Sequence, residues 1–396
     1  MDNFIWKMSI YRFLDAVKLV GVIFVLLFAH NGMSPFQISV LISIWSITQL
    51  LLEVPLGTIA DKYPRRNLLI IALLVHAFGL VLWLGDNFIF YAAGFILWGF
   101  KNALVSGTQE AFVYDELKTY GKETLYEKVN GKLESAFWIG ITLSAVLGGF
   151  VASVNYDWVI ISSIVTTFLA IIPLLTIKSV KPSKSTGETE YLNVLKKSIK
   201  EIRTNTTLWG IIAFFCLIFA TYGAADEYWA LIYQAIGLPV SAIGLFVALG
   251  YGFFAIAGWT LRFFDNDKIR GKEHYLLFIS ALVFIFAGIL KSYTSIPLIF
   301  LGMYIFKVAH LKFDAKFQHA ITSDQRATIS SLKSLIFEFV YMGFVLMFGF
   351  ISEYFGISSV MYILGILLVV WLVVFKIFLP TPLQKILAVK DNTHKE

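Results

Sequence analysis

Charge is scarce in this chain. Asp, Glu, Lys and Arg make up 15% of its 396 residues, where a soluble globular chain carries about 25%. Apolar side chains fill the shortfall: they reach 58% and lift mean hydropathy to +0.77. That balance excludes a water-soluble enzyme and a nucleic-acid-binding domain, despite a formal charge of +6. Cysteine is almost absent. Cys216 stands alone in an apolar run, which leaves no disulfide framework and no cysteine metal cluster. A Gly-x-x-x-x-Gly-Lys-Ser/Thr pattern is missing too, so nothing supports ATP as an energy source. The first residues, Met1 to Phe24, lack the basic start and small-residue cleavage site of a secretory signal peptide.

What the chain has in quantity is long apolar segments. Twelve are read, at roughly 9–30, 36–60, 68–85, 88–114, 131–154, 158–177, 207–236, 240–262, 274–292, 296–318, 329–352 and 357–379. Each is near the ~20 residues a membrane helix needs and too long for a barrel strand. Turn residues mark the breaks, among them Asn31-Gly32, Asp86-Asn87, Asn155, Gly237 and Gly356. Alternate breaks are basic. One set holds Lys62, Arg65 and Arg66, then Lys118, Lys122, Lys128 and Lys132, then Lys268, Arg270 and Lys272, then Lys316 and Arg326; the other holds Lys291. Basic loops mark the cytoplasmic face, so both termini are expected in the cytoplasm. The polar, basic stretch 178–206 reads as a cytoplasmic linker, with an amphipathic helix at Tyr191–Ile202. It separates an N-terminal six-helix bundle, 1–177, from a C-terminal one, 207–396. The fold class is an all-α membrane protein.

After the second segment comes Gly57-Thr-Ile-Ala-Asp61-Lys-Tyr-Pro64-Arg65-Arg66. This resembles the signature loop of the major facilitator superfamily, Gly-x-x-x-Asp-x-x-Gly-Arg-Arg/Lys, which lies between that family's second and third helices. Pro64 stands where the pattern has Gly, so the turn geometry must differ. The preceding Glu53-Val-Pro55 and the segment Gly107–Leu117 resemble a bacterial, efflux-like subgroup. The resemblance implies a latch built from Gly57, Asp61, Arg65 and Arg66 that joins the halves on the cytoplasmic side. A glycine at 57 would let helices approach closely. The fifth segment carries Gly140, Ser144, Ala145, Gly148 and Gly149 at the spacing of the family's antiporter motif. Either that motif or ordinary small-residue packing accounts for it.

Ionisable residues deep in apolar segments are costly, about 2.5–3.5 kcal/mol each on insertion scales, so they mark candidate sites. In the seventh segment Asp226 and Glu227 are adjacent, and Tyr222, Asp226, Trp229 and Tyr233 are spaced to share one helix face. An acid among aromatic rings can take a proton or an organic cation. An interfacial aromatic belt or a structural ion pair is the alternative. In the tenth, Lys307, His310 and Asp314 share a face. They read either as counter-ion and proton relay or as a local structural pair. Lys312 and Lys316 read as snorkelling anchors. In the fourth, Lys101 stands where the superfamily resemblance implies an Arg, though two residues out of register. Asn102, Ser106 and Gln109 read as one polar face beside Glu110. Glu338, Asp15 and Lys18 are lesser candidates, the last two as an ion pair three residues apart.

These readings converge on a proton-coupled secondary transporter in the inner membrane of a bacterium. Lysine outnumbers arginine 25 to 7, a bias compatible with an AT-rich bacterial genome. The superfamily resemblance implies alternating access around a site between the halves near the midplane. Export of small amphipathic or cationic compounds is favoured over import of a metabolite or sugar, and over a non-transporting receptor or scaffold. The expected partners are a small-molecule substrate, protons and membrane lipids. The expected protein is a monomer with no cofactor, metal or nucleic acid.

Overall fold

A helix satisfies every interior backbone group within one segment, which a lipid environment demands. The computed structural model describes residues 1–60, 62–178, 206–264, 273–320 and 326–378, and among these every regular element is helical. Twelve stretches are long and apolar enough to cross a membrane. In chain order, spans one to six are Asp2–His30, Pro35–Ala60, Arg65–Trp83, Phe88–Thr119, Glu123–Ala152 and Tyr156–Leu175. Spans seven to twelve are Trp209–Asp226, Val240–Thr260, Glu273–Leu290, Ser295–Phe317, Leu332–Phe355 and Ser359–Ile377. All twelve expected segments are present. Residues 179–205, which hold most of the expected linker and its amphipathic helix, lie outside the described residues, as does Asp61.

Local chemistry starts and stops these helices. Asn87 accepts from the backbone N–H groups of Ile89 and Phe90, and Asn155 from that of Asp157, so each caps the span that follows. Pro64 immediately precedes Arg65 with φ of −58°, a conformation suited to entering span three. Large apolar side chains such as Phe150 and Ile289 are more than 60% exposed. That is the surface a bilayer would cover.

Spans one and four are interrupted, and a third break follows span seven, where hydropathy reads continuous helices. Span one is two helices, Asp2–Ala16 and Val20–His30. The freed backbone is satisfied from outside: Ser144 donates to the carbonyl of Lys18, and Ser163 accepts from the N–H of Val20. Span four is Phe88–Val105 and Thr108–Thr119, with Gly107 between them at φ of +69°. Span seven sits in the helix Thr206–Asp226 and is followed, after two residues, by the helix Trp229–Ile236. Broken helices at membrane depth are tolerated where protein or water satisfies the backbone.

The chain groups into two compact units, residues 1–188 with 238–248, and 189–237 with 249–396. In the first, Phe4, Met8 and Tyr11 pack with Leu69, Leu73, Phe112, Leu117, Leu133 and Leu174 in one apolar core. Span five presses Gly140 and Gly148 against span one and Gly149 against Gly244 of span eight. A side chain on Gly140 would start 2.7 Å from the carbonyl of Phe13, and one on Gly148 2.6 Å from that of Leu19. In the second unit, Tyr222 stacks on Phe306 with ring centres 4.1 Å apart, and Trp229 on Phe284 at 5.9 Å.

Candidate transport site

Among the described residues, one buried polar cluster surrounds Asp226 and Glu227 in the second unit and another surrounds Asp15 in the first. In the second unit the break after span seven places Asp226 at one helix end and Trp229 at the start of the next. The indole N–H of Trp229 donates to Asp226 Oδ1 at 2.9 Å. Glu227, in the break itself, accepts from the hydroxyl of Tyr341 in span eleven at 2.6 Å. The backbone between them is fixed by Tyr228, whose hydroxyl donates to the carbonyl of Val345. Tyr222, Trp229 and Tyr233 are buried around the pair. Tyr222 and Tyr233 lie within electrostatic reach of Asp226 from either side of the break, and Trp229 turns its polar edge to the acid. Glu338, half-buried, lies within electrostatic reach of Glu227.

The expected partner from span ten is near but does not touch. Lys307 lies within electrostatic reach of Asp226, yet its ammonium sits over the Phe254 ring, 5.2 Å from the centre. Lys307 lies within electrostatic reach of both His310 and Asp314, but among the described residues the three form no hydrogen bond or ion pair with one another. His310 meets the ring of Phe219 edge-on at 4.5 Å. Asp314 accepts from Lys333 at 3.4 Å, and that ammonium is also over the rings of Phe215 and Phe317. Lys316 is no snorkelling anchor. It is fully buried and pairs at 2.7 Å with Glu273, itself 1% exposed. Glu273 follows a basic loop and carries no periodic signal, so the pair was invisible before spans nine and ten were placed.

In the first unit, Asp15 is the centre of the second cluster. Its carboxylate pairs with Lys18 at 2.6 Å and with Lys101 at 3.0 Å. The local Asp15–Lys18 pair was legible from spacing; the second lysine comes from 86 residues away. Asn102 donates to Gln49 at 3.2 Å. The interruption at Gly107 parts Asn102 from Gln109, so Asn102, Ser106 and Gln109 do not share one continuous helix face. Gln109 is buried and Glu110 is exposed.

The residues of the expected latch make contacts within the first unit. Arg65 pairs with Asp115 at 3.3 Å. Arg66 donates to the carbonyl of Ile177 at 2.9 Å and to the side chain of Asn67. Gly57 does not serve a close helix approach in this structure, because a side chain there would meet nothing within 4 Å.

Twelve apolar helices with charged clusters buried among them are the architecture of a membrane carrier. The family model of the Major Facilitator Superfamily matches residues 13–311. This chain belongs to that superfamily. Superfamily members are transporters, not enzymes, and the fold matches solved transporter structures. The chain is 23% identical to an uncharacterized MFS-type transporter, YxaM, of Bacillus subtilis (strain 168), over 96% of this chain and 94% of that one. A mutant of the nucleoside transporter NupG superposes with a TM-score of 0.78 at 14% identity, covering 94% of this chain and 99% of NupG. A D-xylose–proton symporter superposes with a TM-score of 0.67 at 12% identity, covering 96% of this chain and 98% of the symporter.

Proposed function

We propose that this superfamily member is a proton-coupled secondary transporter that exports small amphipathic organic compounds by alternating access, with Glu227 and Asp226 as its proton carriers. It works as a monomer in a bacterial plasma membrane with both termini in the cytoplasm. One observation carries the reading. Two adjacent carboxylates sit at a helix break among aromatic rings, held by hydrogen bonds from Trp229 and Tyr341. Neither has a cation in contact among the described residues. An ionised, unpaired acid buried among apolar side chains is costly, and binding a proton removes that cost. A hydroxyl and an indole N–H stabilise the charged form in turn. A carboxyl poised between the two states can exchange a proton as its surroundings change, and the aromatic lining suits an apolar cargo.

In the proposed cycle a carboxylate gives up its proton as cargo binds and takes one from outside as cargo leaves. The test is reconstitution in vesicles with a panel of fluorescent amphipathic compounds and an imposed pH gradient. Wild type should accumulate cargo against its gradient. The Asp226→Asn, Glu227→Gln double variant should lose gradient-driven accumulation. Transport indifferent to pH, or unaffected in the double variant, sinks the proposal. Import is the second reading, and one observation favours it. Gly140, Ser144 and Gly148 of span five are accounted for by packing against span one, and Ala145 and Gly149 by packing against Gly244 of span eight, so small-residue packing explains the motif that points to export. The same vesicles, loaded on either side, decide direction.

A further inference from the structure

The polar cluster of the first unit does not balance. Asp15, Lys18 and Lys101 are all buried, and one carboxylate faces two ammonium groups. An ammonium carries three donors. The interactions found for Lys18 and Lys101 are with Asp15, so most of that donor capacity is unspent. The surroundings are unfinished in the same way. Among the described residues, the Tyr11 hydroxyl and both ring nitrogens of His76 are buried without a hydrogen-bond partner. Both groups lie within electrostatic reach of the cluster. Trp98, one turn before Lys101, packs on His76 at 4.8 Å and reaches toward Gly21 just past the break in span one. Ser144 and Ser163 serve the broken backbone and leave the ammonium groups alone.

A buried water would occupy donors but would leave two protonated lysines sharing one carboxylate, an expensive arrangement. An anion removes both deficits. We propose that Lys18 and Lys101 form a docking point for an anionic oxygen group of the cargo, a carboxylate or a phosphate. Asp15 takes up one share of their positive charge and competes with the incoming group for both ammonium groups. The break in span one puts Lys18 in a non-helical stretch, so its side chain can adjust as the group enters and leaves. The inference rests on the transport reading above and adds a chemical feature to the cargo: an amphipathic molecule with an acidic group. Binding is measured without a gradient, so it succeeds or fails independently of coupling at Glu227.

The experiment titrates the purified full-length protein in detergent, near neutral pH and at fixed ionic strength. The probes are sodium benzoate and inorganic phosphate, with benzamide as the neutral counterpart of benzoate. Binding is read by calorimetry and by the rise in unfolding temperature. At least one anion should bind and stabilise where benzamide does not; which one does so separates carboxylate from phosphate cargo. Lys101→Gln and Lys18→Gln should each weaken binding by about tenfold or more, the scale of one lost charge-assisted contact. Lys101→Arg should retain it. Asp15→Asn should tighten it, because the competing carboxylate is gone; this gain cannot be mistaken for misfolding. Anions no better than benzamide would overturn the proposal, as would unchanged binding in both lysine variants or weaker binding in Asp15→Asn.

Discussion

Glu273 and Lys316 pair at 2.7 Å with almost no exposure, and their energetics show how little a buried pair tolerates being halved. Taking two charges out of water costs nearly what their attraction returns, so the intact pair adds little stability. Removing Lys316 takes away the ammonium in contact with the buried Glu273 carboxylate, and losing one partner of a buried pair costs about 3–5 kcal/mol. Lys316→Met should therefore lower the unfolding temperature sharply in a detergent melt. The Glu273→Leu, Lys316→Met double variant should recover most of the loss. Equal damage from the single and double variants would mean the lysine matters for something other than neutralising Glu273. Single residues are also where sequence reading failed most. Asp15 and Lys18 sit three apart, and that spacing is visible. Lys101 to Asp15, Glu227 to Tyr341 and Lys316 to Glu273 depend on how separate spans line up, which no local pattern encodes.

At the scale of elements, existence was legible and continuity was not. Twelve helices follow from hydropathy because each apolar run has one stable form in lipid. The interruptions at residues 17–19, 106–107 and 227–228 fall inside those runs. Hydropathy averaged over a run cannot see them, since a single charge such as Lys18 between Val17 and Leu19 leaves the run apolar. What sustains the first break lies in other spans. Ser163→Ala would leave the buried N–H of Val20 without its acceptor, at about 1–3 kcal/mol. Amide exchange at residues 18–21 should accelerate more than elsewhere, and uniform protection would argue that the helix simply closes up. Gly107 has open space around it, so a methyl there meets no clash, but its φ of +69° is unfavourable for any other residue. Gly107→Ala should cost about 1–2 kcal/mol through backbone strain alone. Gly148→Leu, by contrast, should fail through collision with the carbonyl of Leu19.

At the scale of the whole molecule, orientation follows from charge placement. Cytoplasmic loops attract Lys and Arg, and the basic breaks alternate along the chain with breaks that hold Lys291 alone. Family membership and fold do not depend on that alternation, so it can be tested separately. The chain supplies its own clean background, because Cys216 is its sole cysteine and is fully buried. Single cysteines can be placed at exposed loop positions: Val154 and Thr294 on the side expected to face out, Lys62 and Lys122 on the side expected to face the cytoplasm. A membrane-impermeant maleimide added to intact cells should label Val154→Cys and Thr294→Cys and spare Lys62→Cys and Lys122→Cys. Inside-out vesicles should reverse the pattern. The inverse result would place both termini outside, and the proton proposed to enter through Glu227 and Asp226 would then have to be supplied from the opposite compartment. A mixed result within one set would break the even count of crossings, and with it the assignment of twelve helices to twelve passages through the bilayer.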